Sequence, residues 1–220
     1  MAQEPAPPPG DSSPDDLVVG SDGQARCRWA AGSDDYRAYH DHEWGRATDD
    51  ERALFEKLCL EGFQAGLSWI TVLRKRPRFR EVFAGFDPTV VAGFGHDDVE
   101  RLLGDAGIIR HRGKIAATIA NAGILNALHA DGQSLAGVIW SFEPPRRAAP
   151  RSLADVPATT PESQALSKEL RRLGFRFVGP TTVYAGMQAM GLVNDHVDGC
   201  WVRGACEASR RDLDPPPATR

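Results

Sequence analysis

Residues 103–114 read LGDAGIIRHRGK, and this stretch decides how the rest of the chain is interpreted. A short helix ends at a turn of two glycines and two aliphatic residues, and a second helix then opens with basic side chains. This pattern predicts a helix–hairpin–helix motif, whose free backbone N–H groups bind a DNA phosphate without reading sequence. The alternative is an ordinary connection between two helices. The candidate DNA contacts are Gly107, Ile108, Arg110, His111 and Lys114.

Charge alone neither requires nor excludes a nucleic-acid partner. The net charge is −4, but residues 1–24 hold five acids and no base, which leaves residues 25–206 at about +1. Local clusters are more informative, because five of the seven residues at 74–80 and four of the nine at 168–176 are basic. Both clusters favour DNA binding over a solvated surface.

Helix signals dominate the remaining chain and predict an all-α fold. A capping box at Thr48–Glu51 precedes an apolar stripe through Ala65, Ser68 begins a second helix, and Asp87-Pro88 begins a short one. Further helices are expected at 97–103, 111–129, 161–173 and 181–190, with a polar, proline-spaced segment at 143–160. No alternating strand pairs support a sheet.

Length and composition predict one folded domain flanked by two tails. The 220 residues are 41% hydrophobic and contain no 18-residue apolar run, which excludes a membrane span. Residues 1–24 are acidic and proline-rich, unlike a secretory signal, and residues 207–220 are similarly polar. We expect disordered tails at 1–24 and 207–220, a domain at 25–206, and a cytoplasmic protein.

Two Cys/His pairs stand at opposite ends of the expected domain. Cys27 and His40 lie near its start, while His196 and Cys200 lie near its end, one helical turn apart if that segment is helical. Two thiolates and two imidazoles are the ligands of a closed structural zinc site. A stray thiol and a buried histidine explain the same residues, and the spacing leaves both interpretations open. His42 and Cys206 are alternative ligands, whereas Cys59 is expected to pack in the core.

Glu61 shares the apolar stripe of the helix that begins near residue 48. A buried carboxylate is costly without a partner, and such groups cluster at functional sites. Tyr36, Tyr39 and Trp69 would complete a pocket for a flat, polar or cationic ring. The alternative is a Glu61 that bonds a backbone amide among aromatic core residues.

The chain resembles the 3-methyladenine DNA glycosylase I family of bacterial repair enzymes. The resemblance spans residues 26–200 and rests on five blocks: CRW at 27–29, YRAYHDHEWG at 36–45, LCLEGFQAGLSWITVLRKR at 58–76, DAGIIRHRGKI at 105–115 and GLVNDHVDGC at 191–200. It implies a helix–hairpin–helix superfamily fold with one structural zinc that joins the terminal segments through Cys27, His40, His196 and Cys200. It also implies base binding by Tyr36, Tyr39 and Trp69, with Glu61 as the catalytic-site acid.

The activity implied is hydrolysis of the N-glycosidic bond of 3-methyladenine, with the damaged base flipped out of double-stranded DNA. We expect a monofunctional, monomeric enzyme that associates with the nucleoid when it acts. Some members of that family carry a polar amide at position 63, close after the acid, so Phe63 is expected to make the pocket edge tighter or more apolar. The competing interpretations are a zinc-stapled DNA-binding module without catalysis and a glycosylase for another alkylated base.

Overall fold

The structure, a computed structural model, describes residues 16–214, which form ten α-helices and one short β-hairpin. The elements are β1 (Leu17–Val19), β2 (Ala25–Cys27), α1 (Asp34–His42), α2 (Glu51–Gln64), α3 (Trp69–Val82), α4 (Pro88–Val91), α5 (His96–Gly104), α6 (Arg112–Ala130), α7 (Leu135–Trp140), α8 (Pro161–Arg172), α9 (Pro180–Ala189) and α10 (Arg203–Asp212). The prediction of a helical fold is confirmed, whereas the expectation of an all-α chain without paired strands is wrong, because β1 and β2 form a short β-hairpin. Within residues 16–214 no helix is both long and apolar enough to cross a membrane.

The two ends of the domain differ from the sequence prediction. Strands β1 and β2 pair antiparallel, with Leu17 opposite Cys27, so ordered structure begins inside the tail expected at 1–24. Strands of three residues are too short to show an alternating pattern. Helix α10 likewise extends into the tail expected at 207–220, where Arg210 bonds the Glu143 carboxylate and the carbonyl of Pro144. Residues 1–15 and 215–220 lie outside the described part.

Local capping explains where the helices begin. Asp50, not Thr48, caps α2 by accepting a hydrogen bond from the Ala53 amide at 2.7 Å, so the predicted capping box is wrong. The carboxylate is the stronger acceptor at a helix start, and the Thr48 hydroxyl accepts from the Asp50 amide instead. Asp87 caps α4 as predicted, with Pro88 in the first turn.

Helix α2 is the centre of the fold, packed against α3, α6, α7 and α9. Nine of its fourteen residues are buried, so its side chains face neighbours on most sides. Phe63 is fully buried against Phe79 and Phe83, with ring centroids 4.6 and 6.1 Å away. A helix that is buried nearly all round can carry a carboxylate such as Glu61 into the interior.

A second, smaller apolar cluster joins the start of the domain to its end. Cys27 from β2 packs with Val197, Cys200 and Val202. The Trp201 amide also donates to the Ala25 carbonyl at 2.9 Å. Residues about 170 positions apart in the chain are thereby brought together before any metal is considered.

Candidate functional site

A cavity of about 220 Å³ opens between α1, α2, α9 and the start of α3. Five of its lining residues are aromatic, and its carboxyl and amide groups come from α2 and α9. The lining residues are Trp29, Tyr36, Tyr39, Trp44, Glu61, Gln64, Trp69, Ala185 and Gln188. The four residues that the sequence placed in a pocket, Tyr36, Tyr39, Glu61 and Trp69, therefore meet around one space.

Glu61 is 5% exposed, and its Oε2 atom has no hydrogen-bond partner within the described residues. Burial raises the pKa of its carboxyl to about 8, and the positive charge of Lys57 offsets only part of that effect. The free protein therefore holds Glu61 mostly protonated at neutral pH. The alternative in which Glu61 bonds a backbone amide is not what the structure contains.

The aromatic walls are held by contacts with α3. The Tyr36 hydroxyl accepts a hydrogen bond from the Ile70 amide at 3.0 Å, in the first turn of α3. The Tyr39 and Trp69 rings lie 5.4 Å apart at 44°. Trp69 Nε1 is buried and likewise has no hydrogen-bond partner among residues 16–214, so it is the second unsatisfied polar atom at this cavity. A buried donor and a buried acceptor left open at one cavity indicate a ligand that supplies both partners.

Sequence reasoning missed five lining residues and misplaced one. Gln64, not Phe63, lies beside Glu61, because residues three apart share a helix face whereas residues two apart do not. Phe63 lies in the core and does not line the cavity, so the expectation that it shapes the pocket edge is wrong, and the side-chain amide at that edge is that of Gln64. Trp29 and Trp44 stand within the CRW and HEWG blocks, but their positions depended on tertiary folding.

The four Cys and His residues converge, with their ligand atoms all within 4.8 Å of one another and all four side chains buried. The Cys200 sulfur lies 3.4 Å from His40 Nε2 and 3.5 Å from His196 Nδ1, while the Cys27 sulfur lies 3.7 Å from His196 Nδ1. Contact with Cys27 and with both imidazoles lowers the pKa of the Cys200 thiol, as expected for a metal-binding thiolate. His42 is exposed and Cys206 lies outside this cluster.

The two histidine nitrogens that face away from the cluster indicate what its centre can bind. His40 Nδ1 lies 2.8 Å from the Asp41 carboxylate, and His196 Nε2 lies 3.1 Å from the Trp44 carbonyl. A neutral imidazole has one proton, and each outer acceptor draws that proton away from the centre. The two inner nitrogens, 3.2 Å apart, then point lone pairs at each other, which a cation between them would satisfy. The residues therefore fit a tetrahedral metal ion.

His196 and Cys200 converge through a turn, so the predicted helical turn at this point is wrong. The Cys200 amide bonds the Val197 carbonyl at 3.0 Å, and Gly199 adopts a φ of +83° that side chains rarely allow. The Trp44 ring contacts the His196 ring edge-on, with centroids 4.6 Å apart, and the Trp29 ring contacts His40 in the same way at 5.2 Å. The cluster and the cavity thus share a wall.

Helices α5 and α6 are joined by a turn at residues 105–111, called the hairpin below, and its residues differ in accessibility. Helices α5 and α6 pack together across the turn, Arg110 and His111 are exposed, and His111 Nδ1 caps α6 by accepting from the Lys114 amide. The Ile108 side chain is buried, and the Gly107 amide already donates to Asp105 at 2.7 Å. Arg110 and His111 are thus the predicted contacts whose side chains a phosphate could reach.

Lys114 does not fit its predicted role as a phosphate contact. Its ammonium is buried and donates to the carbonyls of Phe63 at 2.9 Å and Ala65 at 2.7 Å. Burial also lowers the pKa of this lysine. Lys114 therefore satisfies the carbonyls at the end of α2, which otherwise lack helical partners.

The basic clusters at residues 74–80 and 168–176 differ in how many of their side chains are paired with carboxylates. Within residues 74–80, Arg74, Arg76, Arg78 and Arg80 are all paired with carboxylates. This cluster is largely neutralised, so the prediction that it forms a basic DNA surface is weakened. In the second cluster, Arg172 pairs with Glu169, while three other basic side chains are exposed: Lys168, Arg171 and Arg176.

Comparison with known proteins identifies the family to which the chain is similar. A family model described as methyladenine glycosylase matches residues 29–203. DNA-3-methyladenine glycosylase 1 of Escherichia coli is 51% identical over 80% of this chain and 95% of its own length, and the Haemophilus influenzae DNA-3-methyladenine glycosylase is 47% identical over 80% and 96%.

Solved structures agree with the sequence matches. A crystal structure of 3-methyladenine DNA glycosylase I superposes with a TM-score of 0.78 at 52% identity, covering 80% of this chain and 98% of that one. The Staphylococcus aureus enzyme, studied for its recognition of 3-methyladenine, gives 0.76 at 35% identity, covering 81% and 96%. The chain therefore belongs to the methyladenine glycosylase family.

Proposed function

We propose that this protein hydrolyses the N-glycosidic bond of 3-methyladenine in alkylated double-stranded DNA, as a base-excision repair glycosylase. The observation that carries the proposal is the aromatic cavity whose wall holds two buried, unpartnered polar atoms, Glu61 Oε2 and Trp69 Nε1. A purine with an exocyclic amine and ring nitrogens supplies partners for both. The names of the relatives support the same substrate.

The substrate itself lowers the demand for acid catalysis. Methylation at N3 makes the attached base cationic, so it leaves with the electrons of the C1′–N9 bond as a neutral molecule. Water adds to C1′ and loses a proton to solvent, which gives an abasic sugar. The enzyme mainly has to extrude the nucleotide, recognise the base and tolerate a cationic sugar.

The cavity residues serve recognition. Trp69 with Tyr36 and Tyr39 presents ring faces, which attract a cationic base in preference to neutral adenine by roughly 0.5–2 kcal/mol. Glu61 accepts a hydrogen bond from the exocyclic amine and adds charge complementarity once it ionises. A cationic base at Glu61 favours the carboxylate, so binding is coupled to release of the proton that burial retains.

Whether Glu61 acts on the base or on water is tested by Glu61→Gln. We assign recognition, since a carboxylate engaged with the base edge cannot also reach the far side of the sugar. Binding of free 3-methyladenine and single-turnover cleavage are measured separately, with Asp212→Asn, an exposed carboxylate at the end of α10 paired with Arg211, as the control. Both properties should weaken together, and lost cleavage with intact binding would reassign Glu61 to water activation.

We propose that Cys27, His40, His196 and Cys200 hold one Zn²⁺, on the strength of their donor set and outer hydrogen bonds. When bound, the ion supplies a cross-link between the terminal segments and no redox or hydrolytic chemistry. Trp29 and Trp44, which touch the two histidines, would then be fixed as one wall of the base cavity.

We further propose that the α5–α6 hairpin belongs to the helix–hairpin–helix superfamily and binds duplex DNA through Arg110, His111 and the start of α6. We propose that the protein acts as a monomer. None of the described residues that line the cavity is a lysine, and we propose that the enzyme is monofunctional and forms no Schiff base with the sugar. Borohydride should therefore trap no covalent adduct with substrate DNA, and a trapped adduct would refute the monofunctional assignment.

The deciding experiment incubates the protein with methylated duplex DNA and separates the released bases by chromatography. We expect release of 3-methyladenine with little or no 7-methylguanine. Release of a different base would identify another glycosylase specificity. DNA binding without release of any base from zinc-loaded protein would indicate a non-catalytic DNA-binding module.

A further inference from the structure

The loop between α8 and α9 presents one exposed aromatic side chain, Phe177, in a strained conformation. Its φ is +57°, in the left-handed region that aromatic residues rarely adopt, and the side chain is 41% exposed. Because two-fifths of its surface is exposed, Phe177 recovers less packing free energy against this strain than a core aromatic residue would. Strain of this kind persists only where the surroundings enforce it, often for function.

Buried groups hold the main chain on both sides of Phe177. The Asn121 side chain, 3% exposed, accepts from the Arg176 amide at 2.8 Å and donates to the Arg176 carbonyl at 3.1 Å. The buried Ser167 hydroxyl donates to the Val178 carbonyl at 2.6 Å. A Cβ on Gly62 would come within 3.2 Å of the Phe177 Cβ. The glycine in α2 therefore leaves room for Phe177 to lie close to that helix.

The surroundings of Phe177 are positively charged and adjoin the hairpin. Its ring lies edge-on to His111 with centroids 6.3 Å apart, and Arg176 precedes it in the chain. The Arg171 side chain, from the last turn of α8, lies close to Gly179 in this loop, and Arg110 is exposed on the hairpin. Neither residues 106–114 nor residues 170–182 contain an acid. The surface suits a polyanion with an apolar component, which describes the sugars and base edges of duplex DNA.

We propose that Phe177 is a DNA-contacting residue that makes an apolar contact in the minor groove beside the flipped nucleotide, while Arg171 and Arg176 contact the phosphates. Side chains that wedge into this groove stabilise the bent duplex that extrusion requires. The inference rests on the proposed glycosylase function, because that function brings duplex DNA to the hairpin.

The test uses Phe177→Gly and Phe177→Ala. The duplex probe carries one tetrahydrofuran abasic-site analogue, which requires no chemistry, and free 3-methyladenine reports on the base cavity. Losing the aromatic contact should weaken duplex binding by about 5- to 100-fold in both variants. Affinity for free 3-methyladenine should stay within about twofold of wild type, since Phe177 does not line the cavity.

Thermal stability separates this role from structural packing. Glycine adopts φ of +57° without strain, so Phe177→Gly should unfold at or above the wild-type temperature and above Phe177→Ala. Val90→Ala is the matched control, because Val90 is 47% exposed on α4 and α4 bonds Asn126 on α6. That contact lies about 20 Å along α6 from the hairpin, so duplex binding should not change.

Three results would overturn the inference: wild-type duplex affinity in Phe177→Gly, a parallel loss of affinity for free 3-methyladenine, or equal destabilisation of the glycine and alanine variants. Failure of the glycosylase proposal would instead appear in the wild-type protein, as the absence of base release from methylated DNA. The two failures are therefore distinguishable.

Discussion

Replacing Glu61 with glutamine should stabilise the free protein at neutral and alkaline pH while weakening its affinity for the base. Burial raises the pKa of Glu61 from 4.5 to about 8, and within the described part of the chain its Oε2 atom has no hydrogen-bond partner to lose. Between these two pH values the folded chain keeps a proton that the unfolded chain has released. Stability therefore falls as pH rises through this window and levels off above about pH 8.

The magnitude follows from the size of that shift. At 1.36 kcal/mol for each pKa unit, the carboxyl lowers the free energy of unfolding by about 4 kcal/mol near pH 8 and by under about 1 kcal/mol near pH 5. Glutamine is neutral in both states, so the stability gained by Glu61→Gln should be about 3 kcal/mol larger at the higher pH.

Urea denaturation of wild type and variant at both pH values measures this difference directly. Glu100→Gln is the control, because an exposed carboxylate whose pKa is lowered by a hydrogen bond from Arg112 should give no stability gain at high pH. A gain independent of pH, or a loss at both pH values, would refute the burial argument. Loss of affinity in a more stable protein would identify Glu61 as a residue retained for function.

Further expectations concern the metal cluster, the end of α2 and the end of α6. Metal analysis should find about one Zn per chain, and Cys200→Ser should lower stability more than cleavage per folded molecule; clearly less than one equivalent in carefully purified protein would count against the site. Lys114→Met should lower the free energy of unfolding by about 1–3 kcal/mol, since the carbonyls of Phe63 and Ala65 lose their donor. The salt dependence of its duplex binding should stay as in wild type, and a slope reduced by about 1 would place Lys114 on a phosphate. Asp131→Asn should cleave at the wild-type rate in single-turnover assays, because Asp131 is exposed at the far end of α6 from the hairpin.

Helix positions were predictable because their signals are local. Asp87-Pro88 marks the start of α4, and the apolar stripe through Leu54 and Leu58 marks both α2 and the unusual position of Glu61. The same periodicity could have assigned Gln64, three residues after Glu61, to the cavity and Phe63 to the core. The cap of α2 was misassigned by two residues, because Thr48 and Asp50 are both favourable caps and only the chain path distinguishes them.

The sequence by itself determined the helical class, the hairpin between α5 and α6, the types of the four candidate metal ligands, and the acid on an apolar stripe. Each of these depends on residue types at spacings of a few positions, and the family blocks add their own specificity. Tertiary structure alone decided that Lys114 donates to the last carbonyls of α2 and that Trp29 and Trp44 line the cavity. It also decided that the backbone of Phe177 is held at a strained, positive φ. Those outcomes depend on contacts between residues far apart in the chain, whose distances local patterns do not encode. The raised pKa of Glu61 belongs to the same class, because burial results from packing by several helices together.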